Sequence, residues 1–299
     1  MTQPANPRPV ALVTGANSGI GKALALELGR RGYAVLAGAR DPAKAEALLV
    51  QASAEGLTMR AVRLDVTDQA QVDAVMADAL ANEGAPDVLI SNAGVSANAP
   101  LELLAEDHHR LVFETNYWGG VRMMRAAAPH MRVRGSGRIL LISSMMPRFV
   151  LAGTTAYAAS KAALERAGEA MALELSPFGV RVVAIEPGAV KSELQANTSG
   201  GGRWADPART PYANVFERMR VIQRAMLAQA MEAEPAARAM LDAALAEDPP
   251  FRVLVGEDAN HFVPAREATP DRDWIAMGGA PQAVFDALMR DRLGLAIGA

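Results

Sequence analysis

Short runs of branched apolar residues alternate along this chain with longer segments of helical period, and that alternation leaves few folds open. PVALVT (9–14), YAVLAGA (33–39), MRAVRLDV (59–66), DVLISNAG (87–94), GRILLIS (137–143), RVVAIEPG (181–188) and FRVLVG (251–256) read as strands. Several are apolar almost throughout, the pattern of strands covered on both faces. Between them Ile20, Leu24 and Leu28 recur every four residues, as do Val72 and Met76, which is helical spacing. Asp68 and Pro100 stand where helices can begin. Strand, helix, strand, repeated, demands crossover connections and hence a parallel sheet. The expected fold is α/β: a doubly wound parallel sheet of about seven strands, helices on both faces, in a single domain spanning 1–299. The one compositional break, NTSGGGRWADPARTPYA (197–213), reads as part of a substrate lid over 189–235, followed by a C-terminal extension at 257–299.

Composition narrows the function classes. With 51% hydrophobic residues the chain of 299 residues has ample material for a core. Lys and Arg number 30 against 33 Asp and Glu, so no electrostatic footprint favours nucleic acid or an anionic membrane surface. There is no cysteine, which removes disulfides, thiolate metal sites and a cysteine nucleophile. MTQPANPRPV has no apolar signal core and no later run is long enough to span a bilayer. A soluble, cytoplasmic protein acting on a small molecule is the expectation. His108 and His109 follow Glu106 and Asp107, but adjacent histidines on a helix diverge and nothing completes a ligand set, so no metal site is expected.

The stretch TGANSGIG (14–21) joins the first strand to the first helix. Glycines this dense mean that backbone approaches something closely. A triphosphate loop needs Gly at the first position and Ser or Thr after Gly-Lys; here position 16 is Ala and Lys22 is followed by Ala23. The common dinucleotide spacing G-x-G-x-x-G also fails, because the glycines fall at 15, 19 and 21. The physical demand of a pyrophosphate is nonetheless met: a strand end, a tight turn, and a helix aiming its first amides outward. One strand on, YAVLAGARDP ends at Arg40, where a free ribose would want an acid and a 2′-phosphate wants a guanidinium. NADP(H) is therefore preferred to NAD(H). The competing reading of Arg40 is a solvated strand-end arginine paired with Asp41.

Three features go beyond cofactor binding. LLISSMM places Ser143 and Ser144 after a buried strand, Tyr157 follows thirteen residues beyond Ser144, and YAASK sets Lys161 four residues after Tyr157. On a helix Tyr157 and Lys161 then share a face. A phenol titrates near 10, and an ammonium about 4 to 5 Å away at an effective dielectric near 20 is worth roughly 3 to 4 kcal/mol, enough to bring it toward neutrality. That is the range where acid/base catalysis works best.

The chain at this point resembles the short-chain dehydrogenase/reductase family, with its Rossmann-type fold, over nearly its whole length. TGANSGIG is similar to that family's cofactor motif, LDVTD (64–68) to its adenine-contacting segment, ISNAG (90–94) to its N-A-G motif, and IEPGAVKS (185–192) to its P-G motif; ETNYWGG (114–120), ISS and YAASK match the catalytic segments. The resemblance implies that Tyr157 is the acid/base, that Lys161 lowers its pKa and binds the nicotinamide ribose, that Ser144 polarises the substrate oxygen, and that Asn116 holds a water linking Lys161 to solvent. It implies a cofactor set of Gly15, Asn17, Ser18, Gly19, Ile20, Gly21, Arg40, Asp65, Val66, Asn92, Ala93, Gly94, Tyr157, Lys161, Pro187, Gly188, Val190 and Ser192. Ser192 stands where the family often has Thr. Read without the resemblance, Asn116 is equally a satisfied buried amide, Asp65 a turn cap before Thr67, and spacing alone selects Ser144 over Ser143.

The implied activity is NADP(H)-dependent interconversion of a carbonyl and an alcohol; a non-catalytic NAD(P)-binding sensor or scaffold is the alternative. Two pocket walls are expected. MMPRFVLAG (145–153) forms one, and Trp204, Tyr212, Phe216, Met219, Ile222 and Met226 the other, suiting a hydrophobic substrate. APLELLAEDHHRLVFETN (99–116) reads as the start of a long helix that by analogy builds a homodimer or homotetramer.

Overall fold

The computed structural model describes residues 8–192, 210–295 and 297. Seven strands form one parallel sheet: β1 (Val10–Thr14), β2 (Ala34–Ala39), β3 (Met59–Arg63), β4 (Val88–Ser91), β5 (Gly137–Ile142), β6 (Val180–Pro187) and β7 (Arg252–Val255), in the spatial order β3-β2-β1-β4-β5-β6-β7. The strands read from sequence are all present, each trimmed by a residue or more where the chain turns out of the ladder. β1, β2 and β4 are buried at every position, while the edge strands β3 and β7 alternate or fade. This follows from the apolar runs: central strands are covered on both faces, edges are not. The order of strand addition reverses at β1, with β2 on one side and β4 on the other, so a crevice opens at the carboxyl ends of β1 and β4, where doubly wound sheets place their ligands.

Helices cover the two faces. On one, α1 (Gly19–Arg30) and α8 (Ala233–Ala244) join Leu24, Leu28, Ala237 and Met240 to Val13, Val35 and Ile185 of the sheet. On the other, α3 (Gln69–Asn82), α5 (Gly119–Arg134) and α6 (Thr155–Leu175) set Val72, Met76, Met124 and Leu164 against Leu12, Leu89 and Leu141. The short α2 (Glu46–Ala54) follows β2. Asp68 caps α3 through Ala70 and Gln71, as its place in the sequence suggests.

The long helix expected after 99 is broken. Leu101–Leu103 make a single 3-10 turn, α4 spans Glu106–Phe113, and a π-helical turn at Glu114–Trp118 precedes α5. The widened turn carries Asn116 inward, where it is 1% exposed. A third core has its buried residues outside the strands, with Leu254 of β7 packed against them. Met145 and Phe149 after β5 pack with Ile222 of α7 (Ala213–Ala228), Phe262 of α9 (Glu257–Glu267) and Phe285, Met289 and Leu293 of α11 (Gln282–Leu293). Between α9 and α11 lies the short α10 (Asp271–Ala276). The C-terminal extension thus becomes a helical layer over the carboxyl ends of β5 to β7.

Leu89 is fully buried in a central strand between two helix layers. Leu89→Ala is expected to cost about 2–5 kcal/mol, read as a lower urea midpoint at unchanged slope.

Candidate active site

The crevice leads into a cavity of about 1000 Å³ that runs from the glycine turn to the C-terminal helices. At one end, Gly15 and Gly19 take left-handed conformations (φ 64° and 52°) that side chains disfavour. The turn is stitched across the sheet: Thr14 Oγ1 accepts from the amides of Asn92 and Ala93, both at 2.9 Å, and Asn92 Nδ2 donates to the Thr14 and Gly15 carbonyls at 2.9 and 3.1 Å. Ser18 begins α1 without a side-chain hydrogen bond to its amides. Those amides are orphan donors at the positive end of a 12-residue helix, and Asn17 to Gly21 line the cavity. This is a fit for a pyrophosphate.

Arg40 also lines the cavity. Asp41 does not pair with it; its carboxylate accepts from the Ala43 amide at 3.1 Å and caps the following turn. Arg40 has neither ion pair nor hydrogen bond among the described residues, leaving a cation at one end of the cavity. Asp65 and Val66 line the same end, and Asp65 Oδ1 is also committed to the Thr67 amide and hydroxyl at 2.9 and 2.8 Å. The turn cap weighed from sequence is therefore real, alongside the cavity position.

The reacting end is built by α6 against the end of β5. The Ser144 hydroxyl sits beside the Tyr157 phenol and favours its ionised form. Lys161, 3% exposed, donates from Nζ to the Ile142 carbonyl at 2.7 Å and lies 5.8 Å from the centre of the Tyr157 ring. Burial pushes the Tyr157 phenol up to about 12, partly opposed by the Ser144 hydroxyl. Burial also pushes the Lys161 ammonium down to about 8, partly opposed by the charge of Glu165. Among the protein's own groups, burial thus outweighs the lowering of the Tyr157 pKa expected from Lys161. The ring keeps access to the cavity, and burial favours the protonated phenol and the neutral amine.

Asn116 spends its side chain on structure. Its Oδ1 accepts from the Val95 amide at 2.8 Å and its Nδ2 donates to the Val95 carbonyl and Ser160 Oγ, both at 3.0 Å. It ties the loop after β4 to α6. A side chain on Gly94 would come within 3.3 Å of Asn116 Oδ1 and 3.5 Å of Lys161 Nζ, so the two groups flank one narrow place.

Pro187, Gly188, Val190 and Ser192 line the cavity beyond β6, held by a residue that sequence reading missed. Asp258, at the start of α9, accepts from the Ala189 amide at 2.6 Å and from its neighbour Ala259 at 2.9 Å. A side chain on Gly188 would lie 1.9 Å from Asp258 Oδ1, which explains the glycine there. An acid in the first turn of a helix is an ordinary capping signal, and nothing in its neighbours announces the loop it grips.

The two expected substrate walls are corrected in part. Met145, Met146, Val150 and Leu151 line the cavity, but Phe149 turns into the third core against Phe262 (5.2 Å) and Trp274 (5.5 Å). Met219, Ile222 and Met226 of α7 line it, whereas Tyr212 hydrogen-bonds Glu102 and neither it nor Phe216 is in the lining. Trp204 and the rest of 193–209 in the expected lid lie outside the described residues. A third wall, absent from the sequence reading, comes from Trp274, Ile275, Met277, Phe285 and Met289. The four-residue spacing of Phe285, Met289 and Leu293 was its available signal. Arg218, 6% exposed on α7, fixes this wall by donating to the carbonyls of Met277 (3.2 Å), Gly278 (2.9 Å) and Ala280 (2.5 Å) and to Gln282 Oε1 (3.1 Å), with its guanidinium 4.2 Å from the Phe285 ring centre.

Comparison with known proteins bears on this site. A family model described as short chain dehydrogenase matches residues 9–201. The rat (Rattus norvegicus) estradiol 17-beta-dehydrogenase 1 is 34% identical over 270 residues, covering 88% of this chain and 77% of that protein. A short-chain dehydrogenase from Streptomyces avermitilis superposes with a TM-score of 0.76 at 32% identity, covering 98% of this chain and all of that one. A metagenomic short-chain oxidoreductase solved in complex with NADP has a TM-score of 0.58 at 34% identity, over 61% of this chain and 83% of its own.

Lys161 supplies a test of the burial argument. Its folded pKa of about 8 lies below the ordinary lysine value of 10.5, so the unfolded chain holds more protons between those values, and this group's contribution to stability rises with pH there. Below about pH 8 its buried charge costs up to about 3 kcal/mol. Lys161→Met is therefore expected to exceed the wild type in Tm at pH 7 by a margin that shrinks toward pH 10; a margin constant with pH contradicts the assignment.

Proposed function

The chain belongs to the short-chain dehydrogenase family and is an oxidoreductase acting on CH–OH or C=O groups with a nicotinamide nucleotide; from that premise we propose an NADP(H)-dependent enzyme that interconverts a hydrophobic carbonyl compound and its alcohol, with Tyr157 as acid/base. The observation that carries this reading is that Ser144, Tyr157 and Lys161 line one cavity together with the glycine turn. When bound, the nicotinamide nucleotide supplies or accepts the hydride.

The protein's own residues then do four things. The α1 amides and the turn at Gly15 to Gly21 hold the pyrophosphate, and Arg40 holds the 2′-phosphate, for which its unpaired guanidinium is suited. Asp65 and Val66 border the adenine, Asn92 to Gly94 the adjoining ribose, and Pro187 to Ser192 the nicotinamide. Ser144 Oγ and the Tyr157 hydroxyl converge on the substrate oxygen, where negative charge builds in reduction, and Tyr157 gives its proton to that oxygen. Lys161 offsets the phenolate charge left behind, and Asn116 borders the route by which a proton returns.

The apolar side of the cavity, from Met146 and Leu151 to Trp274 and Met289, supports a hydrophobic substrate body. The relation to an estradiol dehydrogenase points the same way. Among the described residues no helix is long and apolar enough to cross a membrane. We read the chain as cytoplasmic and homo-oligomeric, the exposed Leu111 and Trp118 of the α4–α5 region forming part of the subunit contact.

Tyr157→Phe is expected to bind NADPH as the wild type does and to lose at least a hundredfold in turnover across a panel of hydrophobic ketones, aldehydes and alcohols followed by NADPH absorbance. Unchanged turnover rejects the mechanism, and turnover of small, highly charged carbonyl compounds alone rejects the substrate class. Arg40→Ala is expected to raise the Kd for NADPH at least tenfold with little change for NADH; equal effects on both remove the reason for preferring NADP(H).

A further inference from the structure

We propose that Glu165 is a positioning residue of the reaction, the third member of a row on α6 in which Tyr157, Lys161 and Glu165 each face one of the three residues that end β5. The proposal rests on Tyr157 and Lys161 acting as described above. Tyr157, Lys161 and Glu165 are spaced by four residues and so lie along one face of the helix. Opposite them, Ser144 sits beside Tyr157, the Ile142 carbonyl accepts from Lys161 Nζ, and Ser143 Oγ donates to Glu165 Oε1. Residues 142 and 143 are thus bonded to α6 immediately before Ser144, and the bond at 143 belongs to a side chain with no other assigned task.

Glu165 is 4% exposed, and a buried carboxylate is expensive unless it is paired. The groups facing it come from four elements. Lys161 precedes it by one turn of α6, Ser143 follows β5, Glu186 lies on β6, and Arg252 of β7 sets its Nε 3.6 Å from Glu165 Oε2 and 3.6 Å from Glu186 Oε1. Arg252 also pairs with Glu169 of α6 at 2.9 Å, which in turn meets Arg166 at 2.5 Å. Glu186 is wholly buried, with Arg148 3.0 Å from Oε2 and no hydrogen bond at Oε1. Arg252 is therefore shared among three carboxylates, and of these Glu165 sets a negative potential one helical turn behind Lys161.

That potential has a use. Burial favours the neutral amine at Lys161, whereas neutralising a phenolate requires the ammonium. A carboxylate one turn away restores the charged form, and its bond to Ser143 fixes the backbone from which Ser144 projects. Both effects act through another residue and neither touches substrate.

Glu165→Gln separates the two, because the amide still accepts from Ser143 but carries no charge. With NADPH and a hydrophobic ketone that the wild type reduces, the basic limb of the kcat/KM profile is expected to move about one unit toward acid. Activity then falls about tenfold at pH 8.5 and less than threefold at pH 6, and Glu165→Asp recovers part of the loss. A profile unmoved by Glu165→Gln, or a loss of equal factor at every pH, overturns the proposal. A double-mutant cycle on unfolding at pH 7 needs no turnover: Glu165→Gln should lower the folding equilibrium constant at least fivefold more in the wild type than in Lys161→Met. Equal effects in the two backgrounds overturn the charge coupling. Failure of the Tyr157→Phe test with the coupling intact would instead reject the assigned reaction.

Discussion

Everything in the active cavity depends on how the carboxyl ends of neighbouring parallel strands are fastened to one another. At the switch between β1 and β4 a single hydroxyl, Thr14 Oγ1, receives two successive amides from the opposite strand's exit, and Asn92 returns two bonds to the glycine turn. A parallel sheet has no hairpin to close this gap, so side chains must do it. Because they do, the orphan amides of α1 point at a fixed place, and the loop from Asn92 to Val95 can be tied in turn to Asn116 and so to α6. The glycine turn, the loop after β4 and α6 are positioned by one continuous set of bonds.

The electrostatic logic of the reacting end is set by desolvation more than by the attraction between Tyr157 and Lys161. Taking both groups out of water disfavours phenolate and ammonium alike, which holds the phenol protonated and brings the lysine down to about 8. A phenol that is costly to ionise in isolation gains most from any neighbour that favours its anion at the moment of proton transfer. The buried acids behind Lys161 belong to that balance and lie on strands and helices whose apolar neighbours give no hint of them.

The sheet was largely legible in the chain. Continuous apolar runs such as VALVT and VLIS demand burial on both faces, and strand-helix alternation demands parallel order. Some local geometry around the cavity was legible too, because its spacing carries a requirement: a glycine where a turn is left-handed, a lysine one helical turn after a tyrosine. What escaped were long-range partnerships. The π turn around Asn116 interrupts a sequence of ordinary helical character, Phe149 leaves the cavity for an aromatic cluster assembled from residues over a hundred positions away, and Asp258 reaches back to Ala189. Each is decided by tertiary packing, to which local periodicity is blind.

The clasp made by Arg218 has a consequence of its own. Its acceptors are three main-chain carbonyls and the amide of Gln282, and none of them gains or loses a proton in water's ordinary range. The far wall of the cavity is therefore deaf to acidity while the reacting end, with Tyr157, Lys161 and Glu165, is tuned by it. Which molecules fit and how fast they react are governed by separate variables in this protein, so its choice among substrates should stay constant across a pH range over which its rate does not.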